Sequence, residues 1–493
     1  PRGYYAPVKR HCRSGHYDWA SILLSDAPVT YRNMCDVMID SRTLFELAQR
    51  FQQPLPRYTS YPTAAELSEK FDYGDLERHL HDTFSQQLPT ALYVHLPYCK
   101  SLCYFCACSK VISADQRARH EYLSFLEKEC VRLTALGTPE VNELHLGGGS
   151  PSYLSVSELE QLEFCLRQYF PASDLRKSIE LDPRTIDSEK IGFLVENGYE
   201  RISIGVQDFD PVVQQLVNRI QPVEMLEHVL EDLRSRDVHQ INFDLIYGLP
   251  GQTRESFEET IREVCRLRPS RIALYGYAHV PWKMKVQKTL QKYGLPSPTD
   301  RLHLFTQAAI ELQTQGYKYI GLDHFALPDD ELSLADANQT LRRNFMGYTT
   351  FRDSSIERTA VIGVGSSSIS DTGVFLYQNA TVIEDYVALV KSRIPVTRAL
   401  VRSNDTQARA FVIERIMCAR ELDFTEVYSR YRRSEYIFSN AQPRLCAFAD
   451  EGLIELSHDR LKVTERGRYL LRLIASAFDA HLQEDEQRFS QAI

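Results

Sequence analysis

The sequence predicts an α/β fold: a partial, TIM-like (β/α)6 barrel carrying a mostly helical, winged-helix-like C-terminal domain. Three observations predict it. Between residues 91 and 278, six short runs rich in β-branched and aromatic residues alternate with longer stretches whose apolar residues recur near every 3.6 positions. Strand, helix, strand in series implies right-handed crossovers and a parallel sheet. After residue 380 the helical period returns, and a short alternating stretch near the end reads as a hairpin.

The elements follow in order. Residues 1–37 carry charges throughout, show no amphipathic period and contain no apolar core of a secretory signal. Met34 or Met38 is the expected natural start, and 1–37 a non-native or disordered extension. Residues 41–51 are periodic, with Ser41 placed to cap a helix; the segment 38–90 is expected to cover the site. The strand runs are 91–97 (ALYVHLP), 143–146, 178–182, 201–207, 240–247 and 271–278, and the helical stretches 119–136, 156–170, 188–197, 211–234 and 254–267. A helix over 300–316 stops at Gly316. Together 91–320 make the barrel core. Residues 320–376, rich in Gly, Ser, Asp and Thr, read as loop with some strand, so 321–380 is expected to extend the barrel. In 381–493, helices precede a hairpin at 453–463 and a final helix at 464–482. That order suggests a winged helix, read as packing or lid scaffold because it lacks a basic stripe.

Composition narrows the function classes. The chain has 493 residues, a formal charge of -9, 43% hydrophobic and 25% charged residues. No apolar run approaches the ~20 residues of a membrane span, and the acidic balance argues against an electrostatic nucleic-acid binder. A cytoplasmic monomer with no membrane or nucleic-acid partner is expected. Eleven cysteines are too few for a disulfide scaffold, and they are unevenly placed. Seven are scattered, whereas Cys99, Cys103, Cys106 and Cys108 fall on one short stretch directly after the first strand.

Three thiolates at C-x3-C-x2-C spacing do not close a four-ligand structural zinc site, which normally uses two separated pairs, and no second pair follows. Cys108, two residues from Cys106, would chelate the same ion poorly. An iron–sulfur cluster suits the set better, each cysteine holding one iron and one iron left open for a substrate; zinc remains the alternative. In parallel sheets ligands gather at the C-terminal strand ends. The cysteines follow the first strand, the glycines of LHLGGGSPSYL end the second, and Glu180, Gln207 and Asp244 lie in or near the ends of the next three.

Cys99-x3-Cys103-x2-Cys106, with Phe105 before the last cysteine, preceded by VHLPYC and followed by LHLGGGSPSYL, resembles the signature of the radical S-adenosylmethionine enzymes. The extra cysteine in CYFCACSK narrows the match, as do PRYTSYPTA, SIELDPR, GVQDF, DLIYGLPGQT, GYAHVP, IGLDHFALPDDEL, RRNFMGYTT and the terminal RFSQAI. Together they resemble the oxygen-independent coproporphyrinogen III oxidases from about residue 38 to the end. Three departures stand out: Ser150 where threonine is usual, about five extra residues between Tyr348 and Gly363, and residues 1–37 outside the pattern.

The resemblance implies a radical-SAM barrel, a 4Fe-4S cluster on Cys99, Cys103 and Cys106, and two S-adenosylmethionine molecules. It implies that Cys108 is an accessory thiol and not an iron ligand; read alone, it is an ordinary buried thiol. Positions matching the family's S-adenosylmethionine contacts are Tyr93, Phe105, Gly148, Gly149, Ser150, Glu180, Gln207, Arg219, Asp244, Ala278 and Ile369. The glycines, Gly147 included, let backbone approach a ligand. Glu180 offers a carboxylate to the methionine ammonium, and Arg219 suits a carboxylate. Bare of the resemblance, Tyr93, Phe105, Ala278 and Ile369 read as core. The implied reaction converts coproporphyrinogen III to protoporphyrinogen IX by removing two propionate carboxyls through a 5'-deoxyadenosyl radical. It needs an external electron donor such as flavodoxin or ferredoxin, and an electron acceptor. Arg342, Arg343, Lys283 and Lys285 are candidates for the substrate carboxylates, with solvated surface charge as their alternative. A related haem chaperone, a haem-degrading radical-SAM enzyme and a non-enzymatic zinc module are the competing readings.

Overall fold

The structure, a computed structural model, describes residues 39–172, 174–350, 359–432 and 434–482. The expectations for 1–37 and for the terminal RFSQAI therefore lie outside the described residues. All six expected strands are present: Thr90–Leu96, Val141–Gly148, Arg176–Leu181, Tyr199–Gln207, Gln240–Tyr247 and Arg271–Gly276. They pair in that order, each parallel to the next. Thr90–Leu96 is buried along its whole length, as a strand covered on both faces must be. Tyr199–Gln207 and Gln240–Tyr247 alternate, which turns one set of side chains into the barrel.

The sheet is larger than expected. A seventh parallel strand, Ala360–Val364, pairs with Thr90–Leu96 on its free side. Ile369–Asp371, Phe375–Asn379 and Val396–Val401 continue it antiparallel, and His324–Ala326 and Lys318–Gly321 extend the opposite flank, giving 12 strands. Residues 320–376 thus hold far more strand than their loop-like composition indicates, and also a helix, Glu331–Ala337. Val396–Val401 likewise interrupts the stretch expected to be helical after 380.

Three helices differ from the reading. The first, Ser41–Arg50, is capped by Asp40, whose carboxylate accepts the Thr43 N–H, so Ser41 lies inside the helix. The long helix expected over 211–234 is two, Pro211–Leu216 and Val223–Ser235. Asn218 takes a left-handed conformation (φ 56°) between them, and Pro222, which cannot donate into a helix, precedes the second. The final helix expected over 464–482 is three short turns, Gly467–Leu470, Leu471–Ala475 and Ser476–Phe478. Leu471 to Ser476 are all buried, and a Cβ at Gly467 would stand 2.0 Å from the Leu453 carbonyl oxygen, so the backbone is pressed against the hairpin. The hairpin itself pairs Ile454–Leu456 with Arg460–Val463, and Glu421–Asp423 adds a third strand. With Asn404–Cys418, Phe424–Arg430 and Glu435–Asp450 it forms the winged-helix-like unit.

Two large apolar cores result, with a small third one around Val213, Leu249 and Leu290. One fills the space between the sheet and its flanking helices, centred on residues such as Leu146, Ile204, Phe243 and Leu274. The other joins Val412, Ile416, Leu461 and Phe478 of the C-terminal unit to Leu47, Leu55, Tyr58 and Tyr61 of the N-terminal segment. Among the described residues no helix is long and apolar enough to cross a membrane.

Candidate active site

A cavity of about 480 Å³ opens inside the barrel. Cys99, Cys103, Cys106 and Cys108 line it on one loop, with Gly148, Gly149, Ser150, Glu180, Gln207, Arg219, Asp244, Phe105 and Ala278 around them. Of the eleven positions expected to contact S-adenosylmethionine, the fold brings all but two to this wall; Tyr93 and Ile369 do not line it. Tyr93 stands just behind it, its hydroxyl 3.0 Å from His95 Nδ1 and its ring stacked on His145. Ile369 sits on the antiparallel strand Ile369–Asp371.

The glycine edge is set by close packing. A Cβ at Gly147 would lie 2.9 Å from Glu180 Oε1, at Gly148 2.6 Å from the His95 ring, and at Gly149 2.6 Å from the Pro97 carbonyl. Gly148 also adopts φ 111°, which side chains rarely tolerate. Its N–H donates to Glu180 Oε2 at 3.2 Å, and His145 Nε2 is 3.3 Å from Oε1. Burial alone would push the Glu180 carboxyl up, but His145, the Gly148 amide and His95 together hold it below its ordinary value. Its side chain is 43% exposed, toward the cavity that it lines. It is a carboxylate with free capacity for a cation.

Asp244 is different. Ser203 donates to one of its oxygens at 2.8 Å and Asn242 to the other at 2.9 Å, and burial raises its carboxyl to about 6. Gln207 lies at its strand end with φ 68°. Ser150 is buried, its hydroxyl 3.3 Å from that of Ser152.

Arg219 occupies the break between the two helices and is buried, not a surface arginine. It donates to the Gly205 carbonyl at 2.7 Å, to Gln221 Oε1 at 3.0 Å and to Asp182 Oδ2 at 3.3 Å. Its Nη1 and the Nη2 of Arg184 each lie 3.5 Å from Cys103 Sγ. Arg184 and Asp182 were not singled out from the sequence, although SIELDPR carries both. Their ion pair, at 2.6 Å, holds the Asp182 carboxyl below its usual range against the opposing effect of burial, with Arg219 the leading cause of the lowering. The other thiols feel unlike surroundings. Burial raises Cys99 to about 12, whereas a hydrogen bond from Cys108 brings Cys106 down to about 6, with burial opposing and Lys110 assisting.

The comparisons with known proteins bear on this cavity. The sequence model of the Radical SAM superfamily matches residues 93–264. The oxygen-independent coproporphyrinogen III oxidase of Helicobacter pylori is 37% identical over 457 residues, covering 91% of this chain and 99% of its own. That of Pseudomonas aeruginosa is 39% identical, covering 91% and 98%. The chain belongs to the oxygen-independent coproporphyrinogen III oxidase family. In structure it is similar to coproporphyrinogen III oxidase (HemN) from Escherichia coli, a radical SAM enzyme, with a TM-score of 0.82 and 36% identity over 87% of this chain and 100% of that one.

The radical SAM family works with a 4Fe-4S cluster and S-adenosylmethionine, and the residues present fit both. Three cysteines share one cavity wall, and two guanidinium groups stand 3.5 Å from the Cys103 sulfur, where they can donate to a cluster ligand. Among the described residues no three His, Cys, Asp or Glu side chains converge to hold a single ion; a four-iron cluster asks instead that each thiolate take a separate iron. The four basic candidates for substrate part company. Lys283 and Lys285 are exposed and do not line the cavity. Arg342 lies near Glu414 on the Asn404–Cys418 helix. Arg343 packs over Tyr348, which is part of the cavity wall.

Proposed function

We propose that this chain is a radical-SAM oxidoreductase of haem biosynthesis. It catalyses the oxygen-independent oxidative decarboxylation of two propionate side chains of coproporphyrinogen III to vinyl groups, giving protoporphyrinogen IX. The observation that carries the reading is the convergence of the C-x3-C-x2-C loop, the glycine edge and the Glu180 carboxylate on one cavity, in a chain spanning its relatives end to end.

Cys99, Cys103 and Cys106 would hold the cluster. When bound, the cluster and S-adenosylmethionine supply the 5'-deoxyadenosyl radical that takes hydrogen from the propionate β-carbon. Glu180 would receive the methionine ammonium, since its free oxygen capacity faces the cavity while His145 and Gly148 hold it in place. Arg219 and Arg184 would each offer a hydrogen-bond donor to the Cys103 sulfur. Asp244 and Gln207 line the cavity at neighbouring strands, where ribose hydroxyls could be held. Two S-adenosylmethionine molecules are expected from the family resemblance. Water exclusion would fall to the N-terminal segment, whose Tyr58 and Tyr61 are buried against the C-terminal unit.

Each decarboxylation releases carbon dioxide and one electron, so an acceptor is required, and cluster reduction requires a donor. An acidic one-electron carrier such as flavodoxin or ferredoxin suits the outer face of the cysteine loop. Lys283, Lys285, Lys288 and Lys292 are exposed there, and Gln287 of the same segment donates to the Phe105 carbonyl at 2.9 Å, one residue from Cys106. A cytoplasmic monomer without a nucleic-acid or membrane partner completes the reading.

The test is an anaerobic assay of cluster-loaded protein with coproporphyrinogen III, S-adenosylmethionine and a reductant. Protoporphyrinogen IX is the expected product. Its absence from protein with a full cluster would overturn the reading in favour of a related haem chaperone, and haem consumption would favour a haem-degrading enzyme.

A further inference from the structure

Away from the cysteine loop, in and directly behind the cavity wall, stand donors that the protein itself leaves unused. His324 stands on the His324–Ala326 strand beside Arg271–Gly276, is 8% exposed, and lines the cavity. Its ring is held edge-on by Tyr348 at 5.3 Å and Tyr275 at 6.2 Å, and both tyrosines line the same wall. Its Nδ1 is buried without a hydrogen-bond partner. Arg343, on the Arg342–Asn344 strand, lays its guanidinium over the Tyr348 ring at 4.9 Å. Its Nη2 donates to the Arg57 carbonyl at 3.4 Å, while Nε and Nη1 are buried with no partner. Arg57 lies over Tyr275 at 5.4 Å and is paired with Asp323.

Native proteins rarely leave such groups unsatisfied, because each keeps its desolvation penalty. Here they cluster around two tyrosines of one cavity wall, and the charge is unbalanced in the same sense. Arg57 and Arg343 stand together, and among the described residues the carboxylate paired there, Asp323, is taken by Arg57. Arg472, buried and held by the carbonyls of Leu55 and Pro56, is lowered to about 9 by burial and then by Arg57. Burial, then Arg343 and Arg57, hold His324 well below its ordinary value, so its imidazole is neutral and can donate from one nitrogen without adding charge. An acidic chain that gathers cations directly behind one cavity wall, with two donors of Arg343 open, is suited to receive an anion there.

We propose that Arg343 and His324, with Arg57 behind them, bind one propionate carboxylate of the substrate and so fix which side chain faces the reacting end of the cavity. The proposal rests on the substrate reading above. It makes the RRNFMGYTT hairpin a specificity element, in addition to the barrel strands.

Arg343→Gln, Arg343→Lys and His324→Gln decide it, each checked for iron content and for the thermal midpoint of the folded protein. The KM for coproporphyrinogen III is expected to rise at least tenfold in Arg343→Gln and severalfold in His324→Gln, with kcat changing less, and Arg343→Lys is expected to recover part of the loss. Equilibrium binding of coproporphyrin III, followed by its own fluorescence, should weaken in the same order. Unchanged KM and unchanged binding in both glutamine variants would overturn the proposal, as would equal falls in kcat with KM constant. If the wild type binds coproporphyrin III but forms no product, the functional reading fails; weaker binding by Arg343→Gln would then still support the carboxylate site, and unchanged binding would end it.

Discussion

A sulfur that holds iron gains from neighbouring cations, and Cys103 has two guanidinium groups at 3.5 Å. Replacing Cys99, Cys103 or Cys106 with serine is expected to remove the iron and the brown colour of anaerobically reconstituted protein; Cys108→Ser should keep both. Iron analysis with electron-resonance spectra checks this, and an iron-free Cys108→Ser protein would make that thiol a ligand. Gly148 shows a second residue-scale constraint. Its φ of 111° and the His95 ring 2.6 Å from a would-be Cβ leave no room for alanine. Gly148→Ala should cost about 1–3 kcal/mol, read as a lower urea midpoint with the slope unchanged, and should displace His95 or the Glu180 contact. The cysteine loop was legible because its ligands are contiguous in sequence. Arg184 and His324 were not, because only folding brings them to the cavity wall; Arg343 is a candidate from the sequence together with Arg342, Lys283 and Lys285, and only the fold separates it from them.

At the scale of elements, Glu129 joins the Gln116–Thr134 helix to the strands that complete the sheet. Its Oε2 accepts from the Gly365 N–H at 2.8 Å and the Tyr386 hydroxyl at 2.7 Å, and its Oε1 from Asn379 Nδ2 at 2.6 Å. Burial nevertheless raises its carboxyl to about 7. Between its ordinary value of 4.5 and about 7, the unfolded chain binds fewer protons at this site than the folded one. Stability from it is therefore present below the lower value and falls as pH rises through the window, by roughly 3 kcal/mol in all. Glu129→Gln is expected to flatten that slope; urea titrations at pH 5 and 7.5 that diverge equally in both proteins would refute it. The barrel strands were readable because each is a compact β-branched or aromatic run between helical periods. Ala360–Val364 escaped because its short run sits among glycines and serines and its partner is far away in sequence. The break at Pro222 carried a visible signal, since proline cannot sit inside a helix without loss of a hydrogen bond; the apolar period on both sides masked it.

Over the whole molecule, Arg402 is the tie between parts. Buried, it donates to the Tyr61 carbonyl of the N-terminal segment and pairs at 2.5–2.7 Å with Asp371 of the sheet. Burial raises the Asp371 carboxyl, but Arg402 outweighs it and holds the group below 3.8. That stabilisation is present above the unfolded value and is lost as pH falls through the folded one. Arg402→Ala should cost about 2–4 kcal/mol near neutrality, somewhat under a fully buried pair because Asp371 is 26% exposed. The deficit should shrink in acid, where the abandoned carboxylate takes a proton; a deficit constant with pH would remove the ion pair from the account. The pairing of Thr90 with Ala360 also sets an order of events during synthesis. Roughly 270 residues separate the two, so at ~5–20 residues per second the first barrel strand, already able to pair with Val141–Gly148, waits on the order of 15–50 s on the ribosome for its second neighbour. The surroundings of the thiols, Gly148 to Ser150, Arg184 and Arg219, are made well before that neighbour, so the cysteine loop can be enclosed on one side while the far edge of the barrel is still missing.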